Sequence, residues 1–204
     1  MANTIKNVSE SHVQIFNPDA LYVTPLTVDS EKNTTTRGNT TYKLSEVIRD
    51  TTTITQEDPT ENKIENEFGS APILNNVQLG SYSFSAEVAD MQSTLLEVLC
   101  GYVKGSTKVD RTYAPSTYTP VYAEIALAFK TGTKTDGSPK YAAAVLPKVQ
   151  LNSKATFDSL SSSMGRITLA GTGLNIAVGD TDANGTQIES PFYIDSDFVV
   201  STDI

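Results

Sequence analysis

Oxygen-bearing side chains at alternate positions, closed by a glycine, make the first half of a calcium loop. Asp180-Thr-Asp-Ala-Asn-Gly185 has that spacing. Pro191 stands where the loop should supply its bidentate glutamate, and strand-like sequence flanks the run where helices should be. Asp-Ala-Asn-Gly between two strands is also what a hairpin turn requires. The turn is the leading reading, with Asp180, Asp182 and Asn184 as calcium ligands in the alternative. Other chemistry finds little to work with. His12 is the only histidine and Cys100 the only cysteine, which excludes a disulfide framework and a Cys/His zinc cluster. A Ser-His-Asp triad would have to recruit His12, and no Gly-x-Ser-x-Gly elbow supports it. The lone Gly-x-Gly in Ala170-Gly-Thr-Gly-Leu174 lacks the following Lys-Ser/Thr of a phosphate loop. Glu57/Asp58 and Glu65/Glu67 sit in a polar arm unable to hold acid/base geometry. Asp195/Asp197 share one strand face that is most simply solvated. The chain is expected to have no catalytic residues, no cofactor and no metal.

The elements available to position side chains are mostly strands. With 204 residues the chain suits one domain with decorations. Only 38% is hydrophobic, and Thr, Ser, Asn and Gly fill the difference, which fits an all-β protein rich in turns. Val13–Phe16 and Ala20–Val23 read as short extended runs around an Asn17-Pro-Asp19 turn. Tyr82, Phe84, Ala86 and Val88 alternate with Ser83, Ser85 and Glu87, the period of a half-buried strand. One helix follows over about 90–101. Asp90 is its N-cap, Met91, Leu95, Val98 and Leu99 share a face, and Gly101 is the left-handed C-terminal residue. Cys100 ends that face as a small hydrophobe. Lys104–Thr119 reads as loop. Val121–Phe129 and Tyr141–Leu146 form a long hairpin across Thr131–Ser138, and Val149, Leu151, Ala155 and Phe157 continue with the same period. Arg166–Val178 is a strand whose parity switches at Gly171-Thr-Gly173, as a bulge would make it do. Phe192–Val200 closes the chain. The expected fold is mainly β: an antiparallel sandwich or barrel with one flanking helix.

No ordinary compact domain needs the stretch from about Asp29 to Leu79. Connections beyond about 12–15 residues are uncommon and usually signal function or disorder. Ile54, Ile64, Phe68 and Ile73 are spaced through this polar segment like anchors. Buried-type side chains on a solvated arm need a surface to land on. The surface expected is another copy of the chain, which orders an arm disordered in the free subunit.

The net charge of −9, from 15 basic and 24 acidic residues, removes sequence-specific DNA binding, which needs a basic footprint. Residues 1–9 have no signal-peptide core and no run is long enough to span a membrane. Synthesis and first folding in a reducing cytoplasm are expected. The acceptor triplets at Asn7, Asn33, Asn39 and Asn184 then reflect a Thr/Ser/Asn-rich composition.

The block Ile48-Arg-Asp-Thr-Thr-Thr-Ile-Thr-Gln-Glu-Asp-Pro-Thr-Glu-Asn-Lys-Ile-Glu-Asn-Glu-Phe68 is followed by Ala71-Pro-Ile73, the strand Gly80–Val88 and the helix Asp90–Cys100. It resembles the tail tube (major tail) proteins of tailed bacteriophages, in the form associated with phages and prophages of Bacteroides-like bacteria. The likeness covers roughly the central quarter of the chain. It implies subunits that form rings, usually hexameric, stacked into a hollow tube that conducts DNA on ejection. Sheet strands line the channel, the helix packs outside, and a long loop reaches the adjacent subunit or ring. Carried onto this sequence, that loop is 29–79. The contact residues between copies are Arg49, Asp50, Ile54, Asp58, Pro59, Ile64, Glu65, Glu67, Phe68 and Ile73. The terminal segments add ring-to-ring contacts, and Val121–Phe129 and Arg166–Val178 are candidates for the inner wall.

The partners implied are copies of the chain itself, with tape-measure, tail-terminator and baseplate or distal tail proteins. Genomic DNA crosses the lumen non-specifically, and no membrane is involved. The location implied is the virion tail, assembled in the host cytoplasm. A negative lumen would repel phosphates and let DNA slide. Two rivals share the fold class. One is the tube of a contractile tail or injection system, or a tail-completion protein. The other is a carbohydrate- or calcium-dependent binding module, against which the complete lack of Trp counts.

Overall fold

The computed structural model describes residues 18–29, 31, 34–44, 46–65, 72–89, 92–157 and 165–199. Alternation of apolar and polar residues makes strands almost throughout. β1 (Ala20–Asp29), β2 (Thr34–Arg37), β3 (Tyr42–Leu44), β4 (Thr53–Gln56), β5 (Thr60–Glu65), β6 (Pro72–Gln78) and β7 (Tyr82–Val88) precede the helix α1 (Ser93–Cys100). After it come β8 (Val103–Lys104), β9 (Thr112–Tyr113), β10 (Val121–Thr133), β11 (Pro139–Leu151), β12 (Lys154–Thr156) and β13 (Arg166–Gly173). The last are β14 (Ile176–Thr181), β15 (Gln187–Ser190) and β16 (Tyr193–Phe198). The main sheet runs β2-β1-β10-β11-β13-β7-β4, with β3 on β1, β12 on β13 and β16 on β11.

The spine is the β10–β11 hairpin, paired from Val121↔Leu151 to Thr133↔Pro139. β11 changes neighbour along its length: Tyr141–Val145 lie against β16, and Val149–Leu151 against β13. Pro147 sits at the change. A proline has no N–H to give a ladder, so the break costs least there. The inner face of the sheet forms the core. Leu21 and Val23, Phe84, Ala86 and Val88, Ile125 and Leu127, Leu146, Val149 and Leu151, and Ile167 and Leu169 meet the helix leucines there. Each large side chain so buried contributes about 1.5–3 kcal/mol. The opposite face has a smaller cluster. The Tyr22 and Phe198 rings, 5.8 Å apart, pack with Ala20, Ala126, Ala128, Ala143 and Val145, whose small side chains leave room for rings to lie over the sheet.

An antiparallel β fold with one helix is what the alternation predicts, but several details differ. Closure into a barrel is not reached among the described residues. The segment after Leu44 (paired to Leu21) crosses toward the far edge through the single Val47↔Val88 bridge. The helix starts at Ser93 with Gln92 at the N-cap, and its buried residues are Leu95, Leu96 and Leu99. The physical reason is that Ala89 still donates to the Glu46 carbonyl at 2.8 Å, so the chain is held in the sheet until just before. Gly101 does take the left-handed cap, at φ 70°.

Arg166–Val178 is two strands in two sheets: pairing with β11 continues in register to the Leu174 N–H on the Lys148 carbonyl (2.8 Å), and the next position would face Pro147, which has no N–H to offer. The parity switch marks that departure. Phe157 is 69% exposed, since β12 ends before it. Within Lys104–Thr119 a two-rung ladder, β8–β9, replaces plain loop. Among its described residues the connection 29–79 carries β2 to β6. Its Thr and Ile content satisfies backbone groups by pairing, which a long polar loop would leave to water. His12, Val13–Phe16, Asp90, Met91, Glu67 and Phe68 lie outside the described residues, as do the side chains of Ile64, Glu65 and Ile73.

Candidate functional site

Residues 46–56 form an edge of the main sheet, antiparallel to β7. β4 pairs Thr53↔Ser85 through Gln56↔Tyr82. Arg49–Thr52 then leaves the ladder, which resumes with the Ile48 N–H on the Glu87 carbonyl at 2.8 Å. Thr51 bridges the excursion: its Oγ1 donates to the Ile48 carbonyl (2.7 Å) and accepts the Glu87 N–H (3.0 Å). Asp50 takes φ 63°, a conformation aspartate tolerates better than β-branched residues. Arg49 and Asp50 are exposed and 3.9 Å apart, an ion pair of little energetic weight. They stand beside a groove of about 620 Å³ floored by Leu21, Leu44, Val47 and Leu127. Lys43 and Arg49 face Asp19 and Asp50 around it, so its charge selects no ion.

From β4 the chain passes into a hairpin of β5 and β6, which pair only with each other. The ladder runs Thr60↔Gln78 to Glu65↔Pro72, with Ile64 opposite Leu74. Its root is pinned to the body. The Glu57 N–H donates to the Ser81 carbonyl at 2.9 Å, and Ser81 Oγ donates to Glu57 Oε2 at 2.6 Å. Gly80 passes so close to Glu57 that any Cβ there would collide with the Glu57 carbonyl. Val77 and Leu79 are 50% and 81% exposed. A two-stranded hairpin is marginal alone in water.

The residues singled out as contacts therefore separate. Asp58 and Pro59 are exposed at the base of the hairpin, and Ile64, Glu65 and Ile73 lie in its ladder. Arg49 and Asp50 are on the neighbouring excursion. Ile54, opposite Phe84, packs against the chain's own core instead. Sequence reasoning missed Val77 and Leu79. Their alternation with Gln78 was the one sequence signal, and it is too short to read.

The face of β4, β7, β13, β12 and the end of β11 that points away from the core is rich in hydroxyls. Register places Thr53, Thr55, Ser83, Ser85, Thr168 and Thr172 together on it. On it Arg166 Nε is 3.7 Å from Glu87; on β2 and β10, Arg37 forms a two-pronged contact with Glu124 at 2.8–3.2 Å. Lys148 Nζ bonds Thr35 Oγ1 at 3.1 Å and lies over the Tyr122 ring. Lys154 joins this face opposite Thr168.

Asp180–Gly185 forms the tip of the β14–β15 hairpin. Asp182 Oδ1 accepts the N–H groups of Thr186 (2.9 Å) and Asn184 (2.8 Å), which hold its carboxyl below the usual range. Asp180 Oδ1 accepts the adjacent Thr181 N–H. The same construction recurs at the β10–β11 tip, where Asp136 Oδ1 accepts Ser138 Oγ at 2.6 Å and Ser138 N–H at 2.9 Å. These carboxylates build turns. Cys100, at the end of α1, has its thiol pushed up to about 11 by burial, so little thiolate exists near neutrality.

No protein-family model matches the chain, and no curated protein does. Among solved structures it is similar to a chain in the cryo-EM structure of the anti-feeding prophage (AFP) baseplate, 6-fold symmetrised. Identity is 11% over 93% of this chain and 97% of that one, with a TM-score of 0.32. A score that low does not establish a shared fold.

Proposed function

We propose that this chain is a structural subunit of a phage-type tail tube, assembling with its own copies into stacked rings around a channel for DNA. The observation that carries the reading is the β5–β6 hairpin, pinned to the body at its root and carrying the exposed Val77 and Leu79 at the end of its second strand. The block that resembles tail tube proteins falls on this hairpin and on the edge strand that leads into it. Contacts between copies then involve Arg49, Asp50, Asp58, Pro59, Val77 and Leu79, with Ile54 removed from the set because it is occupied within the subunit.

The hydroxyl-rich face serves as the channel wall in this reading. On it Arg166 is paired with Glu87, while Lys148 and Lys154 have no carboxylate partner among the described residues, so its pull on phosphates is limited to a few separated cations. DNA then slides because the wall holds it weakly, rather than because a negative wall repels it. The subunit does no catalysis, needs no cofactor, resides in the virion tail, and meets tape-measure, terminator and baseplate proteins at the tube's length and ends. Negative-stain microscopy of the purified protein over a concentration series tests the reading. Rings or tubes with a central channel are expected, and a strict monomer at the highest concentration rejects it.

A further inference from the structure

Asn184-Gly185 is the one Asn-Gly pair in the chain, and it stands exposed at the tip of the β14–β15 hairpin. An asparagine followed by glycine can be attacked by its own backbone. The Gly185 nitrogen gives its proton to solvent base and bonds to Asn184 Cγ; the Cγ–Nδ2 bond breaks, and Nδ2 leaves as ammonia. Water then opens the resulting cyclic imide at either carbonyl, leaving aspartate or isoaspartate. No oxidant, metal or enzyme enters the balance. Glycine favours the reaction because no Cβ shields the attacking nitrogen, and beyond its chain neighbours nothing lies within 4 Å of where a Gly185 Cβ would be. The β10–β11 tip carries Asp136-Gly137 instead, but an ionised carboxylate is a poor target for such attack. The bonds from Ser138 favour that ionised form.

The folded turn opposes this chemistry. The Gly185 N–H donates to the Asp182 carbonyl at 3.0 Å, so the attacking nitrogen is already engaged. Asp182 Oδ1 holds both sides of the peptide that would have to rotate, accepting the Asn184 N–H at 2.8 Å and the Thr186 N–H at 2.9 Å. We propose that Asn184 is a self-modification site, deamidating through a cyclic imide, and that the Asp182 side chain holds it in check by keeping the turn closed. The reaction then proceeds from the opened tip. An isoaspartate at 184 inserts one more backbone atom between the two N–H groups that Asp182 binds, so the turn cannot close again in the same register. β14 and β15 pair only with each other, which confines the change to the tip. The inference stands apart from the assembly reading.

Wild type, Asp182→Ala and Asp182→Asn are incubated at mildly alkaline pH, each both folded and in guanidinium, and aspartate and isoaspartate at 184 are followed by peptide mapping. Asp182 is exposed and outside the core, so the variants keep the fold. The folded wild type is expected to react at least about fivefold more slowly than the same chain in guanidinium. Folded Asp182→Ala is expected to react about threefold or more faster than folded wild type. Asp182→Asn keeps an acceptor oxygen and should stay within about twofold of wild type. In guanidinium the three chains should share one rate, which separates the turn's effect from that of the local sequence. The inference is overturned if folded wild type reacts as fast as the unfolded chain, or if folded Asp182→Ala stays at the wild-type rate. It is equally overturned if the unfolded chain leaves Asn184 intact.

Discussion

Gly80→Ala separates the hairpin's position from the body's stability. The substitution adds one methyl group, and the backbone at Gly80 needs no left-handed conformation, so only space opposes it. That space is filled by the Glu57 carbonyl, a backbone atom that cannot swing aside as a side chain would. The root must open, and the two bonds that pin it go with it: Glu57 N–H to Ser81 (2.9 Å) and Ser81 Oγ to Glu57 (2.6 Å). Both are accessible to water, so their joint loss costs about 1–2 kcal/mol. The cost is local, because the root lies outside the buried cluster and can fray without the core opening. The melting temperature is expected to fall by less than about 4 °C. Amide exchange in residues 60–65 and 72–78 should quicken by about tenfold or more, and assembly should weaken with it. Gly132→Ala is the control, since nothing lies within 4 Å of a Cβ there. If Gly80→Ala leaves hairpin exchange and assembly at the level of Gly132→Ala, the root does not position the hairpin and the reasoning fails.

Thr51→Val keeps shape but removes the hydroxyl that serves Ile48 and Glu87; a loss of about 1–3 kcal/mol in denaturant unfolding is expected, and Thr52→Val should cost clearly less. Ala128→Leu places bulk beneath the Tyr22 and Phe198 rings, with an expected destabilisation of about 1–3 kcal/mol in the same assay. The Cys100 thiol, raised to about 11, should resist alkylation at pH 8 in the folded protein and react at an ordinary rate once unfolded. Because the Asp182 carboxyl is lowered on folding, the order it gives the turn is present above the ordinary aspartate range and lost as pH falls through the folded value; Gly185 amide shifts in an acid titration should follow it.

Period-two alternation made the core strands legible. Phe84, Ala86 and Val88 announce their inward face, and so do Ile125, Leu127 and Phe129. Local alternation does not say which strands share a sheet, so Arg166–Val178 reads as one element although its halves part company at Leu174. The helix start was hidden for a similar reason, since Asp90 is a good cap by type while pairing of Ala89 with Glu46, a long-range contact, delays the first turn. In the arm, composition reveals that something must be covered without revealing which residues already are. Ile54 looks like Ile64 in sequence, yet it lies opposite Phe84 and packs on the core. Val77 and Leu79 escaped notice because one apolar residue on each side of Gln78 is too short a pattern to read.

If copies assemble through the hairpin as proposed, they must also avoid assembling through their sheet edges. An open edge is a template for any extended chain. Here the edges are blunted. Regular pairing of β4 lasts four residues, and the Arg49–Thr52 excursion, bridged by a side-chain hydroxyl, interrupts the edge before Val47. β16 carries Asp195 and Asp197, the first bending back to accept the second's N–H at 3.0 Å, which takes up a donor that a partner strand could use. On the proposed reading, association uses the β5–β6 hairpin instead of these two edges. Replacing Asp195 and Asp197 by Thr should therefore promote disordered aggregates without lowering the threshold for ordered assembly. Microscopy beside light scattering distinguishes the two products, and ordered tubes forming more readily in that variant would show that the edge, not the hairpin, is the assembly contact.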